Sequence, residues 1–300
     1  MDVNFEYYKI FYYVAKYQNF TKAAKVLGSS QPNVTREMNC LENETGCTLF
    51  IRTNRGIRLT PEGERLYTHV SSAMMQFKAA EDEMSKDLGL EHGNIAIGAS
   101  ETALNIFLLN HLKAFHMDYP GIRLKIYNHS TPQAVKAVEN GEIDFAIVTT
   151  PTTAEAPLTE VSLMSFNEIL VGGKTFTALS GERLSLSELH SYPLIGLGKE
   201  SMTREFYHQV FLSHGLEFVP DTEAATTDQI LPLVKSELGL AFIPEPMARE
   251  AIERNEVVEI RLQEEIPARD VCMVYDRQHP LSAAAQRLKD AMLQDENVSY

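Results

Sequence analysis

Cysteine is scarce in this 300-residue chain, and lysine and arginine together, 27, are well outnumbered by 41 acids. Cys40, Cys47 and Cys272 are an odd number with no C-x-x-C pair, which argues against a disulfide framework and against a zinc cluster, and leaves buried, reduced thiols. No apolar run reaches the roughly eighteen residues of a membrane helix. The start, MDVNFEYYKIF, has acids at Asp2 and Glu6 and no cleavable small-residue motif, so neither a signal peptide nor membrane association is expected, and the expected compartment is the cytoplasm. Catalytic signatures are missing too. GGKT at Gly172 to Thr175 lacks the glycine of a phosphate loop, because Glu168 stands five positions before Gly173. GLGKES, from Gly196, has neither the third glycine of a dinucleotide fingerprint nor the pattern of a nucleophile elbow. No H-E-x-x-H occurs, and the nine histidines are scattered. No catalytic residue, metal or cofactor is therefore expected, and an enzyme has no positive support.

Hydrophobic residues make up 44% and charged residues 23%, which at this length describes a soluble chain of about two domains with a real core. The net charge of −14 is unevenly spread. Residues 1 to 60 hold eight Lys and Arg against five acids, whereas the remainder holds 19 against 36. Cations thus gather at the N-terminal end, where an anionic partner would meet them.

That end carries the most informative stretch, TKAAKVLGSSQPNVTREMNCLENET from Thr21 to Thr45. Ala23, Ala24 and Leu27 fall at helical spacing, Gly28 breaks the helix, Ser30 is a natural N-cap and Pro32 suits the first turn of a second helix. Two helices joined by a tight turn are predicted. Val34, Met38 and Leu41 stand at i, i+4 and i+7, so they face the first helix and leave Asn33, Thr35, Arg36 and Asn39 outward. Amide, hydroxyl and guanidinium groups on the N-terminal half of such a helix read base edges and grip phosphates. Two short apolar runs then flank Asn54 to Gly56, predicting a β-hairpin wing with cations at Arg52, Arg55 and Arg58.

Across this segment the chain resembles the LysR-type transcriptional regulators. The shared pattern runs through Phe11 and Val14, FTKAAKVL at Phe20 to Leu27, SQPNVTR at Ser30 to Arg36, Leu41 and Glu42, Gly46, Leu49 and Phe50, Arg52, Arg55, and LTPEG at Leu59 to Gly63. Order and spacing hold over roughly fifty residues. The resemblance implies that Gln31, Pro32, Thr35 and Arg36 touch DNA, and that Arg52 and Arg55 lie near the backbone or minor groove; Asn33, outward by helical spacing, joins them as a candidate. Thr35 stands where the family usually has serine, and the hydroxyl is retained.

Pro61 can open a further helix, with Glu62 and Glu64 favourable to its dipole. Leu66, Val70, Ala73, Phe77, Ala80 and Met84 form a seam at the 3.5-residue period of a coiled coil, which needs a partner helix. A dimerising helix is the expectation, and the resemblance implies the same.

Gly89 and Gly93 mark a domain boundary. Beyond it, strand and helix patterns alternate: Ile95 to Ser100, a helix to Tyr119, Ile122 to Asn128, a helix over Pro132 to Asn140, and Ile143 to Val148. A second series places strands at Glu168, Pro193, Gly239 and Val271, with helices over Thr203 to His214 and Thr226 to Leu238. Two α/β lobes joined by crossing strands resemble a periplasmic-binding-protein fold, where the LysR family places its effector domain. In such sheets ligands bind past the carboxyl ends of the strands. Those places hold Ser100, Glu101 and Thr102, then Ser130 and Thr131, then Thr149 on one lobe, and Gly198, Ser201 and Thr203 on the other. Each hydroxyl singly is as much an ordinary N-cap as a ligand group.

The expected class is thus α/β with an N-terminal all-α winged helix-turn-helix and a two-lobed periplasmic-binding-protein-like effector domain. The expected division is residues 1–60 for DNA binding, 61–89 for a dimerising linker helix and 90–300 for the effector domain. The expected partners are double-stranded DNA with paired half-sites, a small-molecule effector and further copies of the chain, as a homodimer or homotetramer. The alternative is an α/β small-molecule-binding or transferase-like protein whose N-terminal domain serves only assembly. A missing secretion signal argues against a solute receptor, and missing catalytic motifs against a transferase.

Overall fold

A computed structural model describes residues 3–53, 56–84 and 92–294. The chain folds as two compact units, the first essentially the N-terminal 89 residues and the second nearly all that follows.

In the first unit, α1 (Phe5–Tyr17), α2 (Phe20–Val26) and α3 (Gln31–Thr45) precede a hairpin of β1 (Phe50–Thr53) and β2 (Gly56–Leu59). The helix α4 (Pro61–Met84) follows. Gly28 takes φ +63° after α2, and Gly46 takes φ +68° as the C-cap of α3, left-handed values that a side chain resists. Ser30 caps α3, its Oγ accepting from the Asn33 amide at 3.4 Å. Val34, Met38 and Leu41 are buried against Ala23 and Ala24 of α2 and Phe11 and Val14 of α1, as the helical spacing predicts.

The resemblance motif proves to be a set of joints. Glu42 on α3 accepts from the Leu49 and Phe50 amides at 2.6 and 3.2 Å, fixing the hairpin to the helix. Phe50 packs on Phe11 and Phe20 with ring centroids 5.3 and 5.8 Å apart. Thr60 donates to the Thr48 carbonyl at 2.7 Å and accepts from the Gly63 amide at 3.0 Å, so one hydroxyl closes the hairpin and caps α4.

The proposed seam on α4 divides. Leu66 and Val70 pack into the core of this unit beside Tyr67, so the first turns of α4 bury their part of the seam within the one chain. Ala73, Phe77 and Ala80 are exposed. The side chain of Met84 lies outside the described residues, as do Gly89, Asn54 and Arg55.

The second unit holds two lobes. The first begins with β3 (Gly93–Ala99) and a helical stretch in which α5 (Glu101–Ala103), a π-turn (Leu104–Leu108) and α6 (Leu109–Asp118) run on continuously. β4 (Ile122–Asn128), α7 (Thr131–Glu139) and β5 (Phe145–Thr149) complete a βαβαβ unit, with β3 parallel to both β4 and β5. β6 (Leu158–Phe166) then leads across to β7 (Glu168–Gly172) of the second lobe.

That lobe adds β8 (Arg183–Leu184), β9 (Leu194–Leu197), α8 (Met202–Ser213), β10 (Thr222–Ala224), α9 (Ile230–Lys235), β11 (Leu240–Pro244), α10 (Glu245–Glu253) and β12 (Val258–Leu262). β13 (Arg269–Asp276) returns to the first lobe before α11 (Ala283–Gln294). The five-stranded sheet has the order β4-β3-β5-β13-β6, and the six-stranded sheet β10-β9-β11-β7-β12-β8. The helix expected over Thr226 to Leu238 is shorter, a 3-10 turn at Thr227–Gln229 followed by α9, because Gly239 and the left-handed Glu237 end it early.

Candidate functional site

The outward face of α3 is a connected polar surface. Arg36 is exposed, and its Nη2 donates to Asn33 Oδ1 at 2.7 Å. Asn33 in turn donates through Nδ2 to Ser29 and to Glu37, both at 3.2 Å, so its carbonyl oxygen is aimed at Arg36. Gln31 Nε2 donates to Thr35 Oγ1 at 2.9 Å, while that hydroxyl donates to the Gln31 carbonyl at 3.0 Å. Pro32 is exposed in the first turn, so five side chains from Gln31 to Arg36 share one solvent-facing surface. On the hairpin, Arg58 of β2 is exposed. Arg52 lies on β1, its backbone opposite Ile57, and Arg55 falls outside the described residues.

The second constellation is a cleft of about 510 Å³ between the two lobes of the second unit. From the first lobe it takes Ser100, Glu101, Thr102, Ser130, Thr131 and Thr149. From the second it takes Gly198, Ser201 and Thr203, so all nine sequence-predicted positions line one space. Strand register explains the convergence: β3, β4 and β5 run parallel, so their carboxyl ends open on the same side. On the other lobe, the loop after β9 is held by the Gly198 amide on the Ala224 carbonyl at 3.2 Å.

Glu101 is the residue least suited to an anionic ligand, and the structure shows where its charge goes. Its carboxylate accepts from Asn105 Nδ2 at 2.8 Å and from Asn128 Nδ2 at 3.1 Å. Ser100 Oγ accepts from the Ala103 amide at 3.4 Å, which makes it a cap as well as a lining group. Ser130 is exposed, and its amide donates to Gln133 Oε1 at 3.0 Å.

Sequence reasoning missed several lining residues, among them Asn128, His129, Lys199 and Thr226. His129 Nδ1 is buried with no hydrogen-bond partner among the described residues. Its position directly before Ser130, in a loop already singled out, is the signal that was available.

The larger omission is the pair beneath the cleft floor. Arg269 and Glu168 form an ion pair at 2.7 Å, with side chains 1% and 0% exposed. Arg269 also donates from Nε to the Thr150 carbonyl at 2.6 Å and from Nη2 to Thr149 Oγ1 at 2.8 Å and Thr203 Oγ1 at 3.1 Å. Each threonine oxygen accepts one bond from the guanidinium, so it keeps its proton and one lone pair to offer a ligand. Burial pushes the Glu168 carboxyl up, against the pull of the Arg269 guanidinium and the Tyr207 hydroxyl. A charge placed at the head of each apolar strand, Glu168 before ILVG and Arg269 before DVCMVY, was the sequence signal for it.

The phosphate-loop lookalike is occupied from within. Glu237 accepts from the amides of Lys174 and Thr175 at 2.8 and 3.2 Å, and from the Thr175 hydroxyl at 2.6 Å. The donors a phosphate would use already hold a carboxylate.

Comparison with known proteins bears on both constellations. Residues 5–64 match the family model for the bacterial regulatory helix-turn-helix protein, lysR family, and residues 88–296 match the LysR substrate binding domain. The HTH-type transcriptional regulator YofA of Bacillus velezensis is 25% identical over 284 residues, covering 95% of this chain and 96% of its own. Full-length OxyR from Pseudomonas aeruginosa superposes with a TM-score of 0.78 at 18% identity, over 99% of this chain and 96% of its own. Full-length CbnR complexed with its target DNA superposes with a TM-score of 0.65 at 19% identity, over 97% of this chain and 99% of its own.

Proposed function

The chain belongs to the LysR family of bacterial transcriptional regulators, and on that premise we propose which residues carry its two activities. It is a DNA-binding regulator with a small-molecule effector domain, and its family is one of regulators rather than enzymes. We assign DNA reading to Gln31, Pro32, Asn33, Thr35 and Arg36 on α3, with Arg52 and Arg55 of the wing on phosphates or in the minor groove. We assign effector binding to the cleft lined by Ser100, Glu101, Thr102, Ser130, Thr131, Thr149, Gly198, Ser201 and Thr203. The division follows: residues 1–60 bind DNA, 61–89 link and dimerise, and 90–300 take the effector. The partners are double-stranded operator DNA with paired half-sites, further copies of the chain as a dimer or tetramer, and the effector. Its place of work is the cytoplasm, where that DNA is; no described helix is long and apolar enough to cross a membrane.

One observation carries the effector assignment. Nine positions chosen for lying past strand ends, drawn from separate stretches of both lobes, line a single cleft. For DNA, the carrying feature is Arg36, whose guanidinium is held by Asn33 in an exposed, ready orientation.

Binding to cognate and scrambled duplexes across a salt series tests the DNA assignment. Arg36→Ala is expected to lose about 1–3 kcal/mol at the cognate site and to relax sequence choice. Arg52→Ala and Arg55→Ala are expected to weaken both duplexes alike and lower the salt slope. Undiminished discrimination in Arg36→Ala would remove α3 as the reader.

A further inference from the structure

Arg269 opens β13, a strand of the first lobe's sheet, yet its guanidinium is bonded to both lobes. Toward the first it reaches the Thr150 carbonyl at 2.6 Å and Thr149 Oγ1 at 2.8 Å. Toward the second it reaches Glu168 Oε1 at 2.7 Å and Thr203 Oγ1 at 3.1 Å. The group is sandwiched by apolar faces, its Cζ lying 5.0 Å from the Phe206 ring centroid and 5.7 Å from that of Phe166. A planar fork held at Nε by a half-buried carbonyl and at Nη1 by a buried carboxylate has little freedom left at Nη2.

From this geometry we infer that Arg269 is a positioning residue of the cleft, holding the Thr149 hydroxyl of one lobe and the Thr203 hydroxyl of the other on a single nitrogen. The two hydroxyls line the cleft, and neither has another hydrogen bond among the described residues. Displacing either oxygen re-aims a guanidinium that cannot turn without straining its bond to the other. Occupancy on one lobe is therefore felt on the other through one buried side chain, with no need for the loops to touch. That the coupling serves an effector rests on the cleft assignment above. The coupling itself rests on the guanidinium.

Amide hydrogen exchange on the full-length, ligand-free protein tests it. Thr149→Val removes the acceptor on the first lobe, and exchange should quicken on the second, in residues 202–207 at the start of α8. Thr203→Val should quicken exchange on the first lobe, over residues 145–150. Each change is expected to be about tenfold, the equivalent of one lost hydrogen bond of roughly 1.4 kcal/mol. Thr149→Ser and Thr203→Ser, which keep the oxygen, should restore wild-type exchange. Arg269→Lys keeps a cation opposite Glu168 but has no fork, and should quicken both regions at once. Valine variants that alter only their own lobe would overturn the inference, as would an Arg269→Lys protein with wild-type exchange at both places. Because no ligand is present, a cleft that bound no effector would leave this result untouched and would count against the effector assignment alone.

Discussion

A carboxylate and a guanidinium taken out of water together must neutralise each other, and Glu168 Oε1 and Arg269 Nη1 lie 2.7 Å apart with almost no exposure. Such a pair is weak evidence of stabilisation, since desolvation offsets most of the attraction, but breaking it leaves a buried charge alone. Glu168→Ala is therefore expected to destabilise the protein by about 3–5 kcal/mol in urea unfolding. The double variant Glu168→Met, Arg269→Met removes both charges and should cost clearly less than the sum of the two single changes. A strictly additive double variant would mean the pair is not coupled. Gly63 is a second residue whose identity is set by contact. A Cβ built on it would sit 2.3 Å from the Leu49 carbonyl oxygen, so α4 can approach the hairpin closely only because nothing is there. Gly63→Ala should cost about 1–3 kcal/mol, the usual penalty of forced overpacking, and the melting of the N-terminal unit measures it.

At the scale of elements, α4 serves two purposes along its length. Its first turns bury Val70 and Tyr67 in the N-terminal core, and further along Phe77 is 49% exposed with its ring 5.2 Å from that of Phe5, itself 53% exposed. An apolar pair left this open suits a second helix. Phe77→Asp is expected to dissociate the oligomer in sedimentation and to abolish cooperative binding to paired half-sites; a fully retained oligomer would return this stretch to packing within one chain. The sequence was most readable where periodicity and caps agree. The polar face of α3 was legible because Val34, Met38 and Leu41 are spaced for burial and Ser30 and Gly46 bracket them. The cleft between the lobes was legible because hydroxyls followed three apolar strands. Strands such as β6 and β12 escaped notice because residues like Glu160 and Glu259 interrupt their apolar pattern, their burial alternating with exposure. Arg269 escaped because its partners lie 66 to 120 residues away in the chain, a distance no local pattern spans.

For the whole molecule, the division of charge matches the division of labour. The first sixty residues carry an excess of cations, eight against five, and the remainder an excess of acids, 19 against 36, so only one end of the chain is drawn to DNA. Effector and operator therefore need not compete for the same residues. An effector shifts the regulator only by binding its two states unequally. Its lever is then the set of cleft hydroxyls, and removing one should weaken the response by that group's share. Thr102→Val is the cleaner variant, since Thr102 is 3% exposed and lines the cleft, whereas Ser100→Ala also removes the cap on the Ala103 amide. Each lost hydrogen bond to a neutral ligand group is worth about 0.5–1.5 kcal/mol. The effector concentration at half response should rise between a few-fold and somewhat over tenfold in either variant. Ser100→Ala should rise the more if the cap also orders the loop. The effector itself is found first by thermal shift of the full-length protein against a metabolite library, since whatever binds only the folded state must raise its melting temperature. Titration of that compound into an operator-binding assay then decides: wild-type half-response concentrations in both variants would move the effector site out of the cleft.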